Sequence, residues 1–324
     1  MIFSRLSFLN AAAGLALLLA GDAAIRGVHA HGGHGGGGEQ LPAGESRVTP
    51  TITIEGHGGF ETNLNGDPSH YAIDGQFGYV FEWGLPNNGT FAIEATVGPA
   101  GVWGEAEHFY GTVHLEEEHA HEEEEEGHEE EEHGHSHGSG ADWKRTDVRG
   151  YFAARYQPND RLSFQLSWMP YYVTGKGEHY GEGLKNEVGA NVTYAFGDGD
   201  VNFALGDGLE DVIDGVFISL ENRTGWESDG TYIGNYTDLW PGFGFNVDQL
   251  NITLSGGPRF YSPGSYSGLS SRTDWGGEIE AEYPITDQIA VFAHWKPIYS
   301  SENWSDEGGK GWNHHAGTGV SFSF

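Results

Sequence analysis

The chain has 324 residues, 48 acidic and 15 basic, for a formal net charge of −33 with histidine neutral. An acidic excess of this size excludes nucleic acid as a partner, because phosphate binding needs clustered lysine and arginine. With no cysteine and only 2 methionines, disulfide stapling, thiolate metal sites, a lipidated cysteine anchor and Cu(I) handling are excluded as well.

Residues 1–30 read as an export signal: Arg5 in a short leading region, an apolar run from Leu9 to Gly21, and a small-residue cleavage site at Val28-His29-Ala30. Cleavage after Ala30 would expose an α-amine at His31, close to His34, a combination that can chelate a metal. Residues 31–47 then form a flexible Gly/His-rich segment. The apolar run is too short to span a bilayer and nothing later approaches that length, so any membrane crossing is by strands.

From Val48 the pattern has period two. Val48, Pro50, Ile52 and Ile54 alternate with Thr49, Thr51, Thr53 and Glu55. Tyr71, Ile73, Phe77, Tyr79, Phe81 and Trp83 oppose Asp74, Gln76 and Glu82, and Phe91, Ile93, Ala95 and Val97 oppose Glu94 and Thr96. Similar segments surround Phe152, Leu166, Val192, Ile252, Ile279 and Val291, and the last carries Ala316, Thr318, Val320, Phe322 and Phe324.

Connections alternate in length. Short ones lie at Leu85–Gly89, Gln157–Asp160, Gly197–Asp200, Asn246–Gln249 and Pro284–Gln288; long ones lie near Gly66 and at Glu105–Lys144, Gly175–Gly183, Ser262–Arg272 and Ser300–Lys310. This predicts an all-β antiparallel transmembrane barrel over 48–324, with about twelve strands and fourteen as the alternative. The stretch Gly206–Leu239 is ambiguous: Val216, Ile218 and Leu220 suit a further strand, an outer hairpin or a loop folded into the lumen.

The connection over 105–144 is read as a disordered acidic loop outside the cell. In it His114, His119, His121, His128, His133, His135 and His137 alternate with carboxylates that include Glu118, Glu122 and Glu129. Imidazole and carboxylate together suit Zn²⁺, with Ni²⁺, Co²⁺ and Cu²⁺ as alternatives. The spacing fits no fixed tetrahedral set, so the expectation is weak, exchanging divalent metal.

Three features separate a membrane barrel from a soluble sandwich. Trp83, Trp103, Trp143, Trp168, Trp240, Trp275, Trp295 and Trp312 are expected in interfacial girdles at strand ends. Charges are scattered on the polar face, and the sequence closes on an alternating strand ending Ser321-Phe322-Ser323-Phe324. In these residues the chain resembles Gram-negative outer-membrane β-barrels. The resemblance implies an outer-membrane location, a lipid surround, and recognition of the last strand by the barrel assembly machinery. The His/Glu tract is similar to the loops of zinc-uptake proteins, which implies capture of zinc.

With the apolar face toward lipid, the lumen is expected to carry Glu55, Asp74, Glu82, Glu94, Glu187, Glu278, Glu280 and Glu282 against Arg149, Arg155 and Lys296. Such a wall favours cations. Pairing across Pro284–Gln288 sets Glu278 opposite His294, and the next hairpin brings His294 near His315, which makes a candidate luminal metal site. No nucleophile elbow, HExxH motif or phosphate loop appears, so no enzymatic role is read here. The reading is a pore for small cations or solutes with a metal-capturing outer loop. Its alternatives are a general porin with a merely acidic loop, and a surface metal-binding protein with a closed lumen.

Overall fold

The computed structural model describes residues 41–62, 69–104, 143–174, 183–197, 200–203, 211–262, 264, 271–303 and 309–324. The export signal, His31, His34, and the loop residues His114, Glu118, His119, His121, Glu122, His128, Glu129, His133, His135 and His137 lie outside the described residues.

Among the described residues, period-two hydropathy is realised as thirteen strands. In chain order these are β1 (Ser46–Glu61), β2 (Ser69–Leu85), β3 (Gly89–Gly104), β4 (Trp143–Asn159), β5 (Leu162–Val173), β6 (Gly183–Ala195) and β7 (Asp200–Phe203). There follow β8 (Asp211–Glu227), β9 (Tyr232–Val247), β10 (Leu250–Ser262), β11 (Arg272–Thr286), β12 (Ile289–Ser300) and β13 (Gly311–Ser323). Twelve of them form a closed antiparallel wall, in which β6 pairs with β8 and β13 pairs back onto β1. Closure leaves no free edge in the ring, which is what a strand-built structure needs in lipid.

The faces follow the sequence. Val48, Ile73, Phe77, Val97, Leu166, Val216 and Trp275 are exposed on the outside, while Thr49, Thr51, Thr53, Asp74, Gln76 and Thr193 are buried within. Of the tryptophans expected in the girdles, Trp83, Trp143, Trp168, Trp275, Trp295 and Trp312 are exposed on the outside, Trp103 is half-buried, and Trp240 is 4% exposed and faces inward. Trp240 shares its parity on β9 with Tyr236 and Asp238, so alternation itself puts it in the lumen.

One end carries tight turns. Asn87 and Asn88 have φ of 59° and 57° between β2 and β3, the positive pair that a type I′ hairpin requires. The expected turn at Gly197–Asp200 is corrected. β6 and β7 both run antiparallel to β8, so the chain passes through Gly197 (φ 65°) without reversing there. The seventh wall strand is β8, so Val216, Ile218 and Leu220 belong to the wall; the count is twelve rather than fourteen. Its partner β9 follows a short turn in which Thr231 N donates to Asp229 Oδ1 at 2.8 Å. That bond stabilises the carboxylate and lowers the Asp229 pKa from its ordinary value.

β7 folds against the same end of the barrel. Val201 N donates to Asp160 O at 2.9 Å, and Gln157 Nε2 donates to Val201 O at 2.6 Å. Ala195, Val201, Ile213 and Phe217 make a buried apolar cluster there. A methyl on Gly242 would collide with the Phe217 ring, so the glycine leaves the hollow that the ring fills.

Candidate functional site

Inside the barrel, luminal positions of β8–β13 with parts of β1 and β4–β6 surround a cavity of about 320 Å³. The apolar cluster marks its inner end, where Ile213 and Phe217 contribute to the lining. Its charged lining consists of Glu55, Glu187, Glu221, Asp238, Asp274, Glu278 and Glu280 against Arg149, Arg223, Arg259 and Lys296. Among the described residues, carboxylates therefore outnumber fixed cations around this space.

The cations are held in pairs. Arg259 Nε and Nη2 donate to the two oxygens of Asp238 at 2.7 and 2.5 Å. Lys296 Nζ is 3.2 Å from Glu278, and Arg223 bridges Glu187 at 3.0 Å and Glu221. Aromatic faces support the same charges: the Arg259 guanidinium is 4.1 Å from the Tyr236 ring centroid, and Lys296 Nζ is 5.1 Å from that of Trp240. Ring and carboxylate fix each cation against the wall. Glu280 also faces the cavity, with His294 opposite it on β12 and Thr253 opposite it on β10.

Beside these pairs lies a group of four imidazoles. His315 on β13 has its ring centroid 5.2 Å from His57, 5.3 Å from His294 and 6.0 Å from His70. Asp74 Oδ2 is 3.2 Å from His57 Nε2, and Arg149 Nη1 reaches the same oxygen at 2.5 Å. Glu55 Oε1 is 3.6 Å from His294 Nδ1. Glycines make the room: a methyl on Gly317 would sit 2.5 Å from Glu55 Oε1 and 2.6 Å from His294 Cε1, and one on Gly59 would sit 2.7 Å from His70 Cε1. Among the described residues no three acidic or imidazole side chains already converge as a metal-holding set.

The expected lumen residues divide. Glu55, Arg149, Glu187, Glu278, Glu280 and Lys296 line the cavity. Asp74, Glu82, Glu94, Arg155 and Glu282 are buried on the same luminal faces but packed away from it, Arg155 donating to Gln165 and Glu82 pairing with Arg47. The expected trio of Glu278, His294 and His315 is corrected. His294 and His315 do meet, but Glu280 is the residue opposite His294, and Glu278 binds Lys296. The hairpin turns at Asp287-Gln288, where Thr286 pairs with Ile289, and with the one-residue irregularity between Pro284 and Thr286 the register ends two positions from the expected one, which keeps the face and changes the partner. The expectation had no place for His57 or His70. Their signal was luminal parity with Glu55 and Asp74 across one hairpin, where Gly59 pairs with His70.

Residues 203–324 match a family model described as a cyanophage outer membrane protein like beta barrel domain. No curated protein sequence matches the chain. Among solved structures, an outer membrane channel from Pseudomonas putida F1 is 11% identical, with 88% of this chain and 97% of that one covered and a TM-score of 0.48. The translocator domain of the autotransporter NalP from Neisseria meningitidis is 12% identical over 85% and 88%, with a TM-score of 0.40. An anion-selective porin from Comamonas acidovorans is 9% identical over 86% and 100%, with a TM-score of 0.36. No residue role passes from these proteins to this chain. The closed wall, its apolar exterior and the matched barrel model together identify a protein of the outer membrane.

Proposed function

We propose that this outer-membrane barrel is a channel for small cations, and that its His/Glu-rich connection over 105–144 captures divalent metal, zinc foremost, at the outer mouth. The observation that carries the reading is the charge of the luminal cavity, where seven carboxylates face four fixed cations. A cation in such a space is stabilised by the excess of carboxylates in the lining, and an anion is repelled. The metal-capturing part rests on composition: seven histidines lie between His114 and His137, amid glutamates and without one lysine or arginine. Many weak sites along one segment concentrate an ion without trapping it.

The test is current across a planar bilayer under a salt gradient, for the full chain and for a variant lacking Glu116–His137. A reversal potential of cation sign supports the channel. An anion-sign potential, or no current from folded protein, overturns it. Micromolar zinc should change the current of the full chain and not of the deletion variant. Because imidazole protonates near pH 6.5 and metal competes for the same lone pair, zinc capture should weaken as pH falls from about 7.5 to about 5.5. If capture is unchanged at low pH, the imidazole assignment fails.

A further inference from the structure

We propose that three of the four luminal imidazoles, His57, His294 and His315, form with Glu55 a second, separate site for a divalent transition ion. The proposal deepens the cation-channel reading and rests on it for the ion's route through the barrel, though not for the site itself.

Spacing is the first argument. Two imidazole nitrogens at 2.0–2.1 Å from a tetrahedral Zn²⁺ set their ring centroids about 5 Å apart. The rings of His57 and His294 are 5.2 and 5.3 Å from that of His315. Orientation is what differs in the described conformation, since His294 and His315 stack at 11° rather than pointing at a common centre. Rotation about the Cβ–Cγ bond, a broad torsion in histidine, turns their nitrogens inward without moving the strands.

The second argument is the state of His294. Its side chain is 8% exposed, and Nδ1 is buried with no hydrogen-bond partner; Glu55 Oε1 stands 3.6 Å away, beyond hydrogen-bond length. A buried polar nitrogen without a partner is costly, and an ion held between it and Glu55 would satisfy it. The third argument is the surround. Asp74 at 3.2 Å from His57 Nε2 is placed as carboxylates behind metal-bound histidines are. Gly59 and Gly317 keep the space around the rings clear, since a Cβ at either would intrude on His70, His294 or Glu55. Two or three imidazoles with one carboxylate select Zn²⁺, Co²⁺ or Ni²⁺ over Ca²⁺ or Mg²⁺.

The experiment uses the full-length chain, refolded in detergent, with the seven histidines from His114 to His137 replaced by serine. Co²⁺ is titrated and read by its visible ligand-field absorption and by bound metal per barrel. The expected result is one retained, nitrogen-ligated Co²⁺ that disappears in His315→Ala and in the size-preserving His294→Gln. His314→Ala is the control, because that ring lies on the outer face, 5.8 Å from the Trp312 centroid; it should bind as the background does. Folding of each variant is checked by the heat-dependent gel mobility of a closed barrel. Folded background protein that binds no Co²⁺ overturns the site, as does binding that survives both luminal substitutions. Reversal potentials on the same samples keep the two proposals apart: a cation-selective barrel without Co²⁺ sinks the site alone, and an anion-selective one with Co²⁺ sinks the channel alone.

Discussion

Along β1–β5 the luminal side chains pack against one another, and Thr51, Gln76, Glu94, Thr96, Arg155 and Gln165 are all buried. Along β8–β12 the corresponding positions, Ser219, Glu221, Ser255, Glu278, Glu280 and Lys296, are half-buried around the cavity. Both halves obey the same alternation and carry both signs of charge. They differ in what satisfies that charge. In the first half it is other side chains: Asp147, fully buried, accepts from Arg145 Nε at 2.8 and 3.0 Å, from the Tyr171 hydroxyl at 3.0 Å and from Thr174 N at 3.0 Å. In the second it is ion pairs that open onto a space large enough for solvent. The first half is mostly filled by its own side chains and the second supplies most of the cavity wall; the second also lies wholly within the stretch that matches a barrel family model.

The contrast can be broken by moving charge in either half. Asp147→Ala should have the largest effect. It removes the shared acceptor of a buried guanidinium, a tyrosyl hydroxyl and a backbone N–H, and the loss should be about 3–5 kcal/mol in urea unfolding from lipid vesicles, with channel selectivity unchanged. A selectivity change without a stability loss would contradict the division. Phe217→Ala removes a 3%-exposed ring from the apolar cluster and should cost about 3 kcal/mol. It should also raise single-channel conductance, since the ring stands at the inner end of the cavity. Unaltered conductance would mean that the cluster does not limit the path.

The double change Glu278→Gln with Glu280→Gln should lower cation preference in the reversal potential while altering stability by no more than about 1 kcal/mol, since both groups are half-buried and water can replace their partners. Equal selectivity before and after would place the selective charge elsewhere. The smallest effect belongs to Arg47→Ala. The Arg47–Glu82 pair, 2.8 Å apart, has one partner 30% exposed, and its loss should cost below about 1 kcal/mol in the same unfolding assay.

Much of the wall was legible because lipid outside and polar lumen inside impose a period of two on every strand. Val48 and Thr49, or Phe91 and Glu94, declare their faces without any knowledge of neighbours. Legibility failed where that solvent contrast fades. In β8 and β9 the outward positions Asn222, Thr224, Asn235 and Thr237 are polar and bond one another, with Asn222 Nδ2 to Thr237 Oγ1 at 2.7 Å and Asn235 Nδ2 to Thr224 Oγ1 at 2.5 Å. Without apolar alternation there, the stretch from Gly206 to Leu239 could not be assigned, and Glu221, Arg223 and Asp238 were missed with it. The candidate site was legible in part. Parity placed His294 and His315 inside, but choosing Glu280 over Glu278 depends on where the hairpin turns, at Asp287-Gln288, which hydropathy does not encode. His57 and His70 needed a cross-strand pairing rather than a pattern along one strand.

The seam between β1 and β13 has a consequence for biogenesis. His57 lies on the first strand, His70 on the second, His294 on the twelfth and His315 on the last, and β13 joins β1 in register from Thr51↔Ser323 to Glu61↔Asn313. Hairpins between sequence neighbours close short loops, whereas this junction closes nearly the whole chain, the step with the greatest loop entropy. The imidazole group therefore cannot exist in any intermediate whose ring is still open. Its assembly is a chemical record of completed closure, and an ion held across it would bind the two ends of the polypeptide together at the place where the barrel was last to join.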